Sequence, residues 1–236
     1  MDGRYFEKRR TNSSLHFRYR ERALIAADAA VRHLRRKGSL NALDLGSAEG
    51  GTILEMLRYL PAGTQFAGVE FSPEFAAYAG NLSGDSRAIR IVFGDIANLP
   101  DSVKGESYDL ITALAVLEHL EDPLAALKEA VSVLMKDGIL IATVPHPRWD
   151  QLSVRLGLLE DHHETRKSGS EWISAFENAG LKVVEFRRFM FAPIGFLHYL
   201  RIPISPRLSL FLDNLIRRLR IFDWLFVNRL LVARKA

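Results

Sequence analysis

Leu40-Asn41-Ala42-Leu43-Asp44-Leu45-Gly46-Ser47-Ala48-Glu49-Gly50-Gly51 decides how this chain folds. A short apolar run, Leu40–Leu45, ends in a glycine-rich turn, and a helical stretch over Thr52–Leu60 follows. Glycines let the backbone turn tightly and approach a ligand, while the start of a helix offers unpaired N–H groups. The same alternation continues outward. Apolar runs at Gln65–Phe71, Ile89–Phe93, Tyr108–Ala113 and Gly138–Val144 are separated by helical stretches at Pro73–Leu82 and Pro123–Met135. Continuous apolar runs with helices between them read as parallel strands buried on both faces. The pattern predicts a doubly wound α/β sheet.

Glu70 closes the second run, 24 residues after Gly46. A carboxylate in that place can accept hydrogen bonds from both hydroxyls of a ribose, so a nucleoside ligand is expected. Gly46, Ala48 and Gly51 also fall on the G-x-G-x-x-G spacing of dinucleotide-binding loops, with alanine in the middle. The charges argue against that ligand. Asp44 and Glu49 would lie beside a pyrophosphate, where like charges at about 4–6 Å are costly unless solvated. An acidic loop suits a cationic ligand.

Asp44-Leu45-Gly46-Ser47-Ala48-Glu49-Gly50 resembles the first motif, D-x-G-x-G-x-G, of the class I S-adenosylmethionine (SAM)-dependent methyltransferases, with Ala48 in place of the middle glycine. Four further stretches, in order, strengthen the resemblance. Glu70, followed by Phe71, matches the family's ribose-binding acid, and Asp95-Ile96 matches the motif whose carboxylate meets the adenine amino group and whose next residue packs on the ring. Tyr108–Ile111 with Val116–Pro123 matches the fourth-strand region, and Leu134–Leu140 matches the approach to strand five, with Asp137 where proline is usual. The resemblance covers Leu40–Phe189 and is nearest to the small-molecule group that includes quinone-biosynthesis enzymes. It implies a Rossmann-like, seven-stranded sheet in the order 3-2-1-4-5-7-6, with Val227–Arg234 as the antiparallel seventh strand. It further implies SAM as cofactor, bound by Asp44, Gly46, Ser47, Ala48, Gly50, Glu70, Phe71, Asp95, Ile96 and Ala113. An NAD-dependent epimerase or dehydrogenase on a related fold, and a non-catalytic SAM-binding scaffold, are the alternatives.

Composition sets outer bounds. Of the 236 residues 48% are hydrophobic and 25% charged, ordinary for a globular chain long enough to bury a core. No cysteine is present, which excludes disulfides, thiolate metal sites and thiol nucleophiles, and suits a reducing cytoplasm. The charged start of the chain has no signal-peptide pattern. Charge is unevenly spread: residues 1–40 carry 11 Lys/Arg against 4 Asp/Glu, and residues 181–236 carry 11 against 3. The middle is acidic. Two basic ends suit an anionic surface, whether lipid headgroups or a phosphate-bearing substrate, although long arginine side chains also simply solubilise helices. The expected organisation is an N-terminal basic helical segment over 1–37 and a methyltransferase domain over 38–236. The predicted face of the N-terminal helix holds Leu24, Ala27, Val31 and Leu34.

The acceptor is read from what surrounds this frame. Ala113-Leu114-Ala115-Val116 stands where base and glutamine-amide methyltransferases carry Asn/Asp-Pro-Pro-Tyr, so nucleic acid is not the expected partner. Methylating a hydroxyl needs a base, and histidine is the natural one near neutral pH. His163 and His146 are the catalytic candidates, with His162 beside them, while His119 reads as structural. The Asp161–Glu164 cluster could take a divalent cation but reads rather as a solvated polar loop, and no metal site is assigned. Beyond strand six, residues 190–226 form an insertion. Within it Leu208, Phe211, Leu212, Leu215, Leu219 and Phe222 share one helical face opposite Asp213, Arg217 and Arg220. Such a basic amphipathic helix reads either as lying on a membrane's inner surface or as a lid or dimerisation helix. The expected acceptor is therefore a small or lipid-linked molecule, methylated at oxygen.

Overall fold

A computed structural model describes residues 13–34, 38–77, 88–157, 163–197, 204–219 and 223–236. Asp161, His162, Arg220 and Phe222, named above, lie outside them. Seven strands form one sheet in the order β3-β2-β1-β4-β5-β7-β6, as expected from the family resemblance. They are β1 (Asn41–Leu45), β2 (Gln65–Glu70), β3 (Ile89–Phe93), β4 (Tyr108–Leu114), β5 (Leu134–Pro145), β6 (Leu181–Phe191) and β7 (Phe226–Lys235). β1 to β5 run parallel, and β7 pairs antiparallel with both β5 and β6.

Alternation along the strands builds two cores. Leu43 and Leu45 face one layer, made by α4 (Pro123–Val133) and α6 (Gly169–Asn178). Ala42 faces the other, made by α1 (Ser13–Leu34), α2 (Gly51–Leu57) and α8 (Pro206–Arg217). Three further helices are α3 (Asp101–Lys104), α5 (Pro147–Arg155) and α7 (Ala192–Leu197). The start signals are legible. Asp122 accepts from the amides of Leu124 and Ala125 at the head of α4, and Ser168 with Glu171 forms a reciprocal capping box on α6.

Three elements differ from the sequence reading. α1 buries Ala23, Ala26, Ala27 and Ala30 and leaves Val31 about half exposed, because alanines let a helix lie close against a sheet. The α1 core is thus a layer of the sheet domain rather than a separate basic segment. The sequence pattern marks no helix directly after the Gly138–Val144 run, yet the chain there forms α5, capped by His146.

The third difference is α8. Its buried residues are Ser209, Leu210 and Asp213, and the apolar face picked out by periodicity points away from the protein. Polar contacts hold it. Ser209 Oγ donates to Glu21 Oε1 on α1 at 2.9 Å, and Asp213 accepts from the amides of Met190 and Phe191 at 2.6 and 3.0 Å. Burial, then the nearby Asp213 charge, pushes the Glu21 carboxyl up to about 8, and burial pushes Asp213 up to about 6. A raised carboxyl contributes stability that is full below its unfolded value near 4.5 and is lost as pH rises toward 8. Glu21→Gln mimics the neutral form. Urea denaturation should find this variant near the native stability at pH 5 and more stable at pH 8, the gap widening by up to about 1.4 kcal/mol per pH unit. A difference that does not change with pH would contradict this.

Candidate active site

The chain passes from β1 outward to β2 and β3 and returns on the other side of β1 as β4, so a crevice opens at the carboxyl ends of β1 and β4. The Gly46–Gly50 turn fills one wall. The amides of Gly46 and Ser47 donate to the Val69 carbonyl at 2.9 and 3.1 Å, tying the turn to β2. Gly46 has φ of 73°, and a Cβ there would lie 2.5 Å from Val116 in the loop after β4. Only glycine permits both the backbone shape and that approach.

Glu70 spans the two loops at the crevice. One oxygen accepts from the Ala48 amide at 2.7 Å and the other from Ser72 at 2.9 Å. Asp44 is buried between β1 and β4, accepting from Thr112 Oγ1 at 2.6 Å, and it does not cap α2, whose N-cap is Gly50. Ser47 Oγ is buried without a hydrogen-bond partner, beside Gly68 of β2. An orphaned hydroxyl beside an acidic, glycine-lined turn fits a polar, cationic ligand. Asp95 is exposed and accepts from the Ala97 amide at 2.8 Å, Ile96 is buried in the core, and Ala113, next to the end of β4, is fully buried. Phe71 is strongly exposed and stacks on Phe93 with centroids 6.4 Å apart. Phe93 escaped the sequence reading, although an aromatic at a strand's carboxyl end beside the Glu70 position was its visible signal.

A second group of side chains adjoins the crevice through the β4 loop. The His119 amide donates to Val116, whose side chain abuts Gly46. The His119 ring meets His163 edge-on at 4.7 Å, and Thr165 donates its amide to the Glu118 carbonyl at 3.0 Å. His163 Nδ1 lies 2.6 Å from Asp150 Oδ1, a close ionic contact whose N–H is not aimed squarely at the oxygen, and Arg166 Nε lies 3.0 Å from Asp150 Oδ2. Asp150 is almost completely buried on the inner side of α5. Burial alone would lower the His163 pKa, but its contacts with Asp150 and Glu118 outweigh this and hold it above the ordinary 6.5. Burial raises the Glu118 carboxyl to about 7. Ligand atoms of Glu118, His119 and His163 come within 4.8 Å of one another, a donor set for a divalent cation, yet Arg22 and Arg166 bring positive charge against it.

His146 sits elsewhere. Its Nδ1 accepts from the Arg148 amide at 3.2 Å as the N-cap of α5, and burial with the Arg229 charge lowers it to about 4. A capping nitrogen held neutral at a helix N-terminus is poorly placed to take a proton.

Known proteins agree with this geometry. Residues 43–142 match a family model described as a methyltransferase domain. This match and the sheet order support a class I SAM-dependent methyltransferase. A 37.1 kDa protein encoded in a transposon of Streptomyces fradiae is 31% identical over 114 residues, 48% of this chain and about a third (32%) of that protein's length. Among solved structures, a SAM-dependent methyltransferase of Clostridium acetobutylicum superposes with a TM-score of 0.66 at 12% identity, covering 99% of this chain and 97% of its own. The magnesium protoporphyrin IX methyltransferase of Synechocystis, with S-adenosylhomocysteine (SAH) bound, gives 0.64 at 14% identity, covering 99% and 95%. SAM is the cofactor of this family, and the dinucleotide-dependent alternative is not favoured.

Ala48 occupies the middle-glycine position with φ of 46°, in the left-handed region. An L-residue pays about 1 kcal/mol there. Ala48→Gly should therefore raise the melting temperature by about 2–4 °C in a calorimetric scan. A lower melting temperature would show that the turn is not strained.

Proposed function

We propose that this protein transfers the methyl group of SAM to an oxygen of a small or lipid-linked acceptor, with His163 as general base and Asp150 as its orienting partner. The observation that carries this reading is the buried Asp150 carboxylate 2.6 Å from His163 Nδ1, on a cluster packed against the glycine turn through Val116. Bound SAM would supply a sulfonium-activated methyl carbon. The acidic turn with Ser47, Glu70 and Asp95 would hold the amino acid, ribose and adenine portions, and the exposed Phe71–Phe93 pair offers a flat apolar surface for the base.

The protein's own share of the chemistry is positioning and proton removal. The Asp150 charge beside Nδ1 favours the tautomer with the proton there, which leaves Nε2 to accept a proton from a hydroxyl. Glu118 and Asp150 stabilise the imidazolium that results, and Arg166 keeps Asp150 ionised. Proton removal is worth about 10²–10⁴-fold in such reactions. A neutral hydroxyl is a poor nucleophile, so an oxygen acceptor makes use of a base that a thioether or an already basic amine would not need.

Labelled SAM incubated with aqueous and lipid fractions of cell extract identifies the acceptor. With that acceptor, His163→Ala should lower kcat by about 10²–10⁴-fold while SAH affinity stays within a factor of about two. The pH profile adds a sharper reading. The native kcat/KM should rise through a pKa above 6.5, because the base works only when deprotonated and Asp150 favours its charged form. Asp150→Asn removes that charge, so the rising limb should move to lower pH while the plateau falls. Full activity in His163→Ala would remove it from the mechanism.

A further inference from the structure

α8 is docked inside out. Its inner side is largely polar, with Asp213 and Ser209 buried against β6 and α1, Leu210 its one fully buried apolar residue and Leu212 and Ile216 half-buried. Its outer side carries Leu208, Phe211 and Leu215, Leu219 stands in the turn just after it, and the 3-10 turn Asp223–Leu225 presents Trp224. These five side chains are each between 48% and 64% exposed. Hydrophobic residues scattered singly on a surface need no explanation, but a contiguous stripe of this kind marks an interaction surface. Evolving an outward stripe while burying an aspartate reverses the usual economy of a surface helix.

The charges around the stripe identify what it meets. Arg207 and Arg218 are exposed and, at helical spacing, lie together along one edge of it. α5 continues the surface: Trp149 Nε1 donates to the Trp224 carbonyl at 2.8 Å, and the outward side of α5 presents Arg148, Leu152, Arg155 and Leu156. Apolar side chains interleaved with arginines and an exposed tryptophan match the layered chemistry of a bilayer surface, with acyl chains below and anionic headgroups above. Among the described residues no helix is long and apolar enough to cross a membrane, so the helix would lie in the interface. A second copy fits less well. A two-fold contact that paired the helices antiparallel would set arginine-lined edges against each other.

We infer that the outer face of α8, with Trp224 and the outer side of α5, docks this protein onto an anionic lipid bilayer. The inference deepens the proposed function in one respect only. α5 carries Asp150 on its inner side, so a docked α5 would separate the base from the lipid by the thickness of one helix, and an amphiphilic acceptor could enter without leaving the membrane. Docking itself does not depend on that reading.

Flotation of the full chain with phosphatidylcholine–phosphatidylglycerol vesicles in low-salt buffer tests it. The native protein should float with these vesicles and remain with the protein fraction when vesicles are pure phosphatidylcholine or salt is high. Phe211→Ser with Leu215→Ser should weaken binding by at least about tenfold, and Arg218→Glu by a similar factor. Both variants should bind SAH as the native protein does, which verifies their folding and separates a failure of docking from a failure of the methyltransferase reading. Absence of flotation at low salt, or equal flotation of native and Phe211→Ser/Leu215→Ser proteins, would overturn the inference. So would a native dimer in solution that the same double substitution converts to monomer, since the stripe would then belong to a second copy.

Discussion

Gly46 lies so close to Val116 that even a methyl group would not fit between them. That contact joins the two halves of the site. On its β1 side stands the turn whose amides are captured by Val69 and Glu70. On its β4 side the chain runs through Glu118 and His119 to His163 and, across a short gap, Asp150. A substituent on Gly46 would force apart the glycine turn and the loop after β4 that leads to His119 and His163. The spacing of these two loops is therefore set by the absence of a side chain.

Glu70 illustrates how one residue serves folding and binding at once. Its two oxygens are both held by backbone amides, so the carboxylate is oriented before any ligand arrives. Hydrogen bonds to a charged acceptor are among the stronger ones a loop can form, and they stabilise a turn that carries Ala48 in an unfavourable conformation. Asp44 follows the same logic at greater depth, engaged by Thr112 across the β1–β4 pair. The acidic character that argued against a phosphate ligand is thus built into the sheet.

Much of this was legible in the sequence, and the limits have physical causes. Continuous apolar runs marked all five parallel strands because burial on both faces leaves no polar register to confuse them. β7, expected over Val227–Arg234, and the order of the strands came from the family resemblance rather than from periodicity. α8 was found as a helix, yet periodicity identifies two faces without saying which one the protein covers. Its inward direction is decided by Glu21 and the strand-end amides at Met190 and Phe191, which are distant in sequence. His163 was a candidate on its chemistry alone. Asp150 was invisible because His146-Pro147 reads as a break in an irregular stretch, whereas the histidine and proline there start α5 and turn Asp150 inward. His146 was drawn in by the same chemistry and proves to be the cap of that helix.

The central claim is that the acidic glycine turn selects a cationic nucleoside over a phosphorylated one. Isothermal titration calorimetry of the native protein with SAH and with NAD tests this directly. The account predicts saturable binding of SAH that is lost or strongly weakened in Glu70→Ala, and no measurable heat of binding with NAD. Saturable binding of NAD together with no binding of SAH would contradict it.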